Sequence, residues 1–183
     1  MKTIEELVGE VAKNLGAVKS TPKKQAEPAK PVSVKTEKRA EKITVTENVN
    51  PKMSLSKAKE IAKAVEIAAG IIGVNVVVAV RDEGANLVLL HAMDDSYIAS
   101  IQASQDKAYT AVALKMPTHI ALKESRGGTL DGFTNGNGIL LLGGGYPLKK
   151  DDKIYGGIGV SGGTKEQDTL LAMVAAAYFE ARF

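Results

Sequence analysis

The stretch VNVVVAVRDEGANLVLLHA, residues 74–92, decides the fold. Val74 to Val80 is β-branched and apolar, which predicts a buried strand. Leu87 to Ala92 predicts a second strand. RDEGAN between them supplies an Asp/Glu-Gly turn, so the two runs make a hairpin and begin an antiparallel sheet.

Upstream of the hairpin, Ser54 or Ser56 can cap a helix through Ile72, with Leu55, Ile61, Ala62, Val65, Ala68, Ala69 and Ile72 on its inner side. Downstream, a helix is expected from about Tyr97 to Lys115, stopping before Pro117. Thr118 can cap a short helix to about Lys123. A glycine-rich loop, ESRGGTLDGFTNGNG (124–138), follows. Ile139–Leu142, Gly145–Lys149 and Ile154–Val160 read as three more strands, the last two joined by a turn at LKKDDK. Thr164 with Gln167 three residues later is a capping-box pattern opening a final helix to about Ala181. The expectation is an α/β (α+β) domain over 51–183, with an antiparallel sheet of about five strands covered by helices in the order α-β-β-α-α-β-β-β-α.

Two further segments precede this domain. MKTIEELVGEVAKNLG (1–16) places Ile4, Leu7, Val8, Val11 and Leu15 on one helical stripe, with Glu5, Glu6, Glu10 and Lys13 opposite. A detached helix this short is marginal in water, so its stripe implies a partner surface. Residues 17–50, with Pro22, Pro28, Pro31 and few large apolar side chains, read as a disordered, flexible linker.

The chain's net charge of +3 conceals an uneven distribution. Residues 1–16 carry −1, residues 17–50 carry +4, and residues 51–183 balance to zero. Basicity thus belongs to the linker. With aromatics at only 4%, a nucleic-acid surface is not expected. No cysteine is present, which excludes disulfides and thiolate chemistry and suits a cytoplasmic protein. No apolar run reaches the roughly 18 residues of a membrane span, and the glutamates of the N-terminus do not suit a secretory signal.

Two letter matches fail in context. Gly157-x-Gly159-x-x-Gly162 fits the dinucleotide fingerprint, but only one helix follows, leaving no room for the βαβ unit that motif needs. Gly159-x-Ser161-x-Gly163 fits a nucleophile elbow, yet both histidines, His91 and His119, precede Ser161, against the order of that family. The Ser161-Gly162-Gly163-Thr164 turn has two readings, a tight strand-to-helix connection or amides that cradle an anion. The separation of the two histidines matches no zinc pattern. One imidazole, or an oxygen ligand, could still hold a haem iron in an apolar pocket.

AVRDEGANLVLLHAMDD (79–95), SIQASQDKAYTAVALKMPTH (100–119), LLLGGGYPL (140–148) and GGIGVSGGTKEQD (156–168) together resemble the GlcG/HbpS-like family, which includes the C-terminal domain of PduO proteins. The resemblance covers about residues 53–183. It implies a five-stranded antiparallel sheet, homo-oligomeric assembly and, in several members, binding of haem or a related tetrapyrrole. It also implies ligand contacts from Thr118 and His119 of the Pro-Thr-His block, with His91 a second candidate for the haem iron. The N-terminal sixteen residues resemble the encapsulation peptides of bacterial microcompartment cargo, which implies that Ile4, Leu7, Val8, Val11 and Leu15 bind a shell protein or other cargo.

The expectation is a microcompartment cargo or accessory protein that binds haem and supports redox or cobalamin-dependent metabolism. Two alternatives stand beside it. One is an enzyme acting on a small aldehyde or hydroxy acid, with an anion site at Ser161, Gly162 and Gly163. The other is an oligomeric scaffold that presents many peptides.

Overall fold

β1 (Val77–Asp82) and β2 (Leu87–Ala92) form the expected hairpin in the computed structural model, which describes residues 3–17 and 52–183. Asp82 organises the turn. Its Oδ1 accepts from the amides of Gly84 (2.9 Å) and Asn86 (2.8 Å), and Ala85 takes a left-handed φ of 62°. β3 (Gly145–Lys150) and β4 (Lys153–Ser161) make a second hairpin, and β4 pairs with β1. The result is one antiparallel sheet, ordered β2-β1-β4-β3.

The described sheet has four strands rather than five. Ile139–Leu142 was expected to be a strand but makes only one isolated bridge, Gly136 to Ile139. Side chains take its amides instead. Leu140 N donates to Thr110 Oγ1 (2.8 Å) and Leu141 N to Asn135 Oδ1 (2.7 Å). Donors already satisfied in this way have no need of a neighbouring strand.

Helices cover both faces, because β1 is apolar on both. Val76, Val78 and Val80 join Leu148, Ile158 and Val160 in a core shared with α2 (Leu55–Ile72) and α5 (Lys165–Arg182). The opposite face receives α3 (Ile98–Ala113), and glycines let it approach. A Cβ on Gly157 would lie 2.6 Å from Val112 Cγ2, and one on Gly159 would run into Ser104 O. The dinucleotide-like glycine pattern is therefore a seat for a helix.

Ser54 caps α2, accepting from Lys57 N at 3.3 Å, and Gly73 closes that helix in the left-handed conformation. Leu55, expected on the inner side, is half exposed. Thr164 and Gln167 form the capping box of α5. α4 (Thr118–Glu124) begins at Pro117 without a side-chain cap, because the Thr118 hydroxyl points inward.

α1 (Ile4–Ala17) is helical but not detached. It lies against α2 and α5, and Leu7 and Val11 are fully buried in the core cluster. Its own capping box helps it form: Glu6 N donates to Thr3 Oγ1 (3.2 Å) and Thr3 N to Glu6 Oε2 (2.8 Å). Apart from Ala17, the expected linker over 17–50 lies outside the described residues.

Candidate functional site

The segment Pro117-Thr118-His119 brings α4 down onto the Gly143-Gly144-Gly145 run. Thr118 is completely buried, and its hydroxyl both donates and accepts a hydrogen bond. Thr118 Oγ1 donates to Leu142 O (2.6 Å) and accepts from Gly145 N (2.9 Å). It fastens the entry to β3, and its complete burial leaves the side chain no exposed surface. A Cβ on Gly145 would collide with Thr118 Cγ2 and Lys107 O, so glycine is required there.

His119, one residue on, points to a different environment. It lines an apolar groove of ≈ 420 Å³ with Leu122, Gly143, Thr169, Leu170 and Met173, where Lys165 and Glu166 contribute the charged groups. Its ring stacks on Tyr146, with centroids 6.3 Å apart and planes at 28°. His119 Nδ1 is buried and has no hydrogen-bond partner. Burial lowers the pKa below the ordinary 6.5, so the imidazole is neutral near pH 7. Neutral imidazole is the form that ligates metals.

His91 lies elsewhere. It sits on β2, one edge of the sheet, and its Nδ1 is 2.8 Å from Glu66 Oε1 on α2. His119 stacks on β3, the opposite edge, so the two histidines cannot share an ion. A second groove of ≈ 670 Å³ adjoins His91's partner Glu66 and is lined by Lys63, Asn75, Met93, Asp94 and Asp95. Among the described residues no group of three or more His, Asp or Glu side chains could hold a metal ion.

At the Ser161-Gly162-Gly163 turn one of the amides expected to face an anion is already taken inside the protein. Gly163 N donates to Asp168 Oδ1 at 2.9 Å, so the protein's own carboxylate already occupies the position a ligand carboxylate would take. Ser161 is nearly buried at the end of β4. Asp168 in turn meets Lys107 Nζ at 2.7 Å, and Lys107 also donates to Val160 O at 2.9 Å. Burial pulls the Lys107 pKa down and pushes that of Asp168 up, and each is opposed by the other's charge.

Lys107, Tyr146, Leu170 and Met173 are not among the residues that the sequence motifs single out. For Lys107 a signal was available. It shares a helical stripe with Ser100, Ser104, Ala108 and Ala111, all buried, so a lysine there must find a partner inside. The stripe residues of α1 (Ile4, Leu7, Val8, Val11 and Leu15) are gathered on the chain's own core cluster.

Comparisons place this architecture among known proteins. An uncharacterised 15.0 kDa protein of Citrobacter freundii, from the dhaT–dhaS intergenic region, is 44% identical over 126 residues, covering 67% of this chain and 89% of that protein. The corrinoid adenosyltransferase PduO of the same organism is 32% identical over 138 residues, 72% of this chain but only 41% of PduO. The crystal structure of a PduOC–haem complex superposes with a TM-score of 0.65 at 32% identity, covering 69% of this chain and 94% of that one. Among the described residues, no helix is long and apolar enough to cross a membrane. The family model described as haem-degrading protein HbpS-like matches residues 53–177, and the chain belongs to that HbpS-like family.

Proposed function

We propose that the protein binds haem or a related tetrapyrrole in the groove beside His119, as an accessory cargo protein of a bacterial microcompartment supporting redox or cobalamin-dependent metabolism. The observation that carries the haem reading is His119 itself, a neutral imidazole in the wall of an apolar groove. Residues of this chain suit a flat apolar ring with acidic edges. Leu122, Leu170 and Met173 offer apolar surface, Gly143 leaves room, and Lys165, exposed and 3.5 Å from Glu166 Oε1, would have to exchange that partner for a propionate. A bound haem supplies one-electron chemistry at its iron. The protein's part is to hold the iron through His119 and to exclude water with the apolar wall. The haem complex of the related PduOC supports this reading.

The test is haemin titration of the purified protein. A Soret band that appears in the parent and is lost or shifted in His119→Ala is expected. No band under oxidising or reducing conditions overturns the reading.

The microcompartment part rests on α1, a self-capped amphipathic helix ahead of a PduO-like domain. Residues 1–20 fused to a fluorescent reporter should collect in shells, and Leu7→Asp should disperse it. Diffuse fluorescence that Leu7→Asp does not alter would refute targeting. Self-association is part of the same proposal, supported by Tyr97 and Ile98, exposed to 71% and 86% at the start of α3.

A further inference from the structure

The apolar stripe of α1 is already in use. Leu7 and Val11 have no exposed surface, and Ile4, Val8 and Leu15 pack partly buried on the same cluster against α2 and α5. The helix also looks after its own polar groups. Thr3 and Glu6 cap it reciprocally, and Asn14 Nδ2 donates to Glu10 O at 3.0 Å. The stripe's contacts with the domain are thus hydrophobic and non-directional, indifferent to which copy of the chain supplies the helix. Residues 18–51 separate α1 from the described domain, enough chain for about 110 Å at full extension. Covalent connection therefore does not dictate where α1 rests; its apolar contacts do.

We propose that α1 and the α2/α5 face form an exchangeable helix-in-groove pair. The face is a receptor for an amphipathic helix, filled in the free chain by its own α1. The partner that fits it when that helix leaves is α1 of a second copy, carrying the same Ile4, Leu7, Val8, Val11 and Leu15. A stripe buried on its own domain cannot lie on another surface at the same time. Recruitment through α1 therefore requires undocking, and each undocked helix uncovers an apolar face. Linkage within one chain holds α1 at an effective concentration on the order of millimolar. Its own helix prevails in dilute solution, and a second copy competes only where chains are packed at comparable concentration. The shell as competing surface rests on the targeting reading above; the exchange itself does not.

The chain has no cysteine, so single thiols report on α1 cleanly. Alkylation rates are compared for Val11→Cys, at a buried position, and Lys13→Cys, at an exposed one, in the full chain. Val11→Cys is expected to react at least tenfold more slowly. A millimolar excess of a synthetic peptide of residues 1–17 should then raise its rate toward that of Lys13→Cys. The same peptide carrying Leu7→Asp and Val11→Asp should leave it slow. Equal rates without peptide overturn the docking, and a slow rate that the peptide does not move overturns the exchange. Val8→Cys, partly buried, provides a second reporter should Val11→Cys itself loosen the helix. A reporter fusion that ignores shells would remove the shell as competitor while leaving these rates as they are.

Discussion

Lys107 and Asp168 meet inside the protein, Nζ to Oδ2 at 2.7 Å, with side chains 0% and 4% exposed. The pair joins three elements. Lys107 brings α3 to the end of β4 through Val160 O, and the second oxygen of Asp168 takes the Gly163 amide ahead of α5. Removing one charge strands the other, a loss of about 3–5 kcal/mol for a buried pair. Lys107→Met should therefore lower unfolding free energy by about that amount in urea titrations. Adding Asp168→Leu should recover part of the loss, but not all, because Gly163 N then lacks its acceptor. Strictly additive single effects would show that the two side chains are not coupled.

Two glycines should respond in opposite directions to the same substitution. At Gly159 a Cβ would meet the α3 backbone at Ser104 O and at Ala108 N, 2.6 Å away. Gly159→Ala should cost about 3 kcal/mol or prevent folding, since backbone on both sides leaves no flexible atom to yield. Gly70, in the last turns of α2, has nothing within 4 Å of its added Cβ. Gly70→Ala should stabilise by about 0.5–1 kcal/mol, the usual helix preference for alanine. Thermal unfolding of both variants checks the contrast.

Local signals explain which parts of this arrangement were legible in the sequence. β-branched runs, a turn at Asp82–Asn86 and the Thr164–Gln167 box depend on residues close in the chain; the hairpin and the box appear as read, although the first strand runs Val77–Asp82 where Val74–Val80 was expected. Ile139–Leu142 has strand-like composition, but its amides are taken by Thr110 and Asn135, and no local pattern reports a side-chain acceptor on another element. Thr118 illustrates the same limit. Its position after Pro117 suggested a cap, whereas Leu142 and Gly145, more than twenty residues away, claim its hydroxyl. The groove at His119 combines α4, Gly143 and α5, so Leu170 and Met173 gain their role only from packing.

His119 should leave a signature in the pH dependence of stability. Burial lowers its folded pKa below 6.5, so the unfolded chain binds the proton more readily. Stability contributed by the neutral ring is present above about 6.5 and declines as pH falls through that value. Urea midpoints measured from pH 8 to 5 should fall less steeply in His119→Leu than in the parent. Parallel profiles would mean that the ring is as well solvated in the folded chain as in the unfolded one.

Ile98 is expected to matter for association and not for folding. Its side chain is 86% exposed beside Tyr97 at 71%. Ile98→Lys should leave the unfolding midpoint within about 0.5 kcal/mol of the parent, as exposed substitutions usually do. Light scattering should show a smaller particle if this patch lies between copies, and an unchanged mass would exclude it from the interface.

Thr118 separates a structural hydroxyl from a ligand. Thr118→Val keeps the shape and the methyl group but leaves Gly145 N without an acceptor and Leu142 O without a donor, in a site without solvent. Each buried group left unpaired costs about 1–3 kcal/mol, so Thr118→Val should be clearly destabilised. Thr118→Ser retains both hydrogen bonds and loses one buried methyl group, so the expected loss is about 1 kcal/mol. If Thr118 serves the fold alone, the folded fraction of either variant should bind haemin with the parent's Soret maximum, while His119→Ala should not. A shifted maximum in Thr118→Val with an unperturbed one in His119→Ala would move the ligand from the imidazole to the hydroxyl.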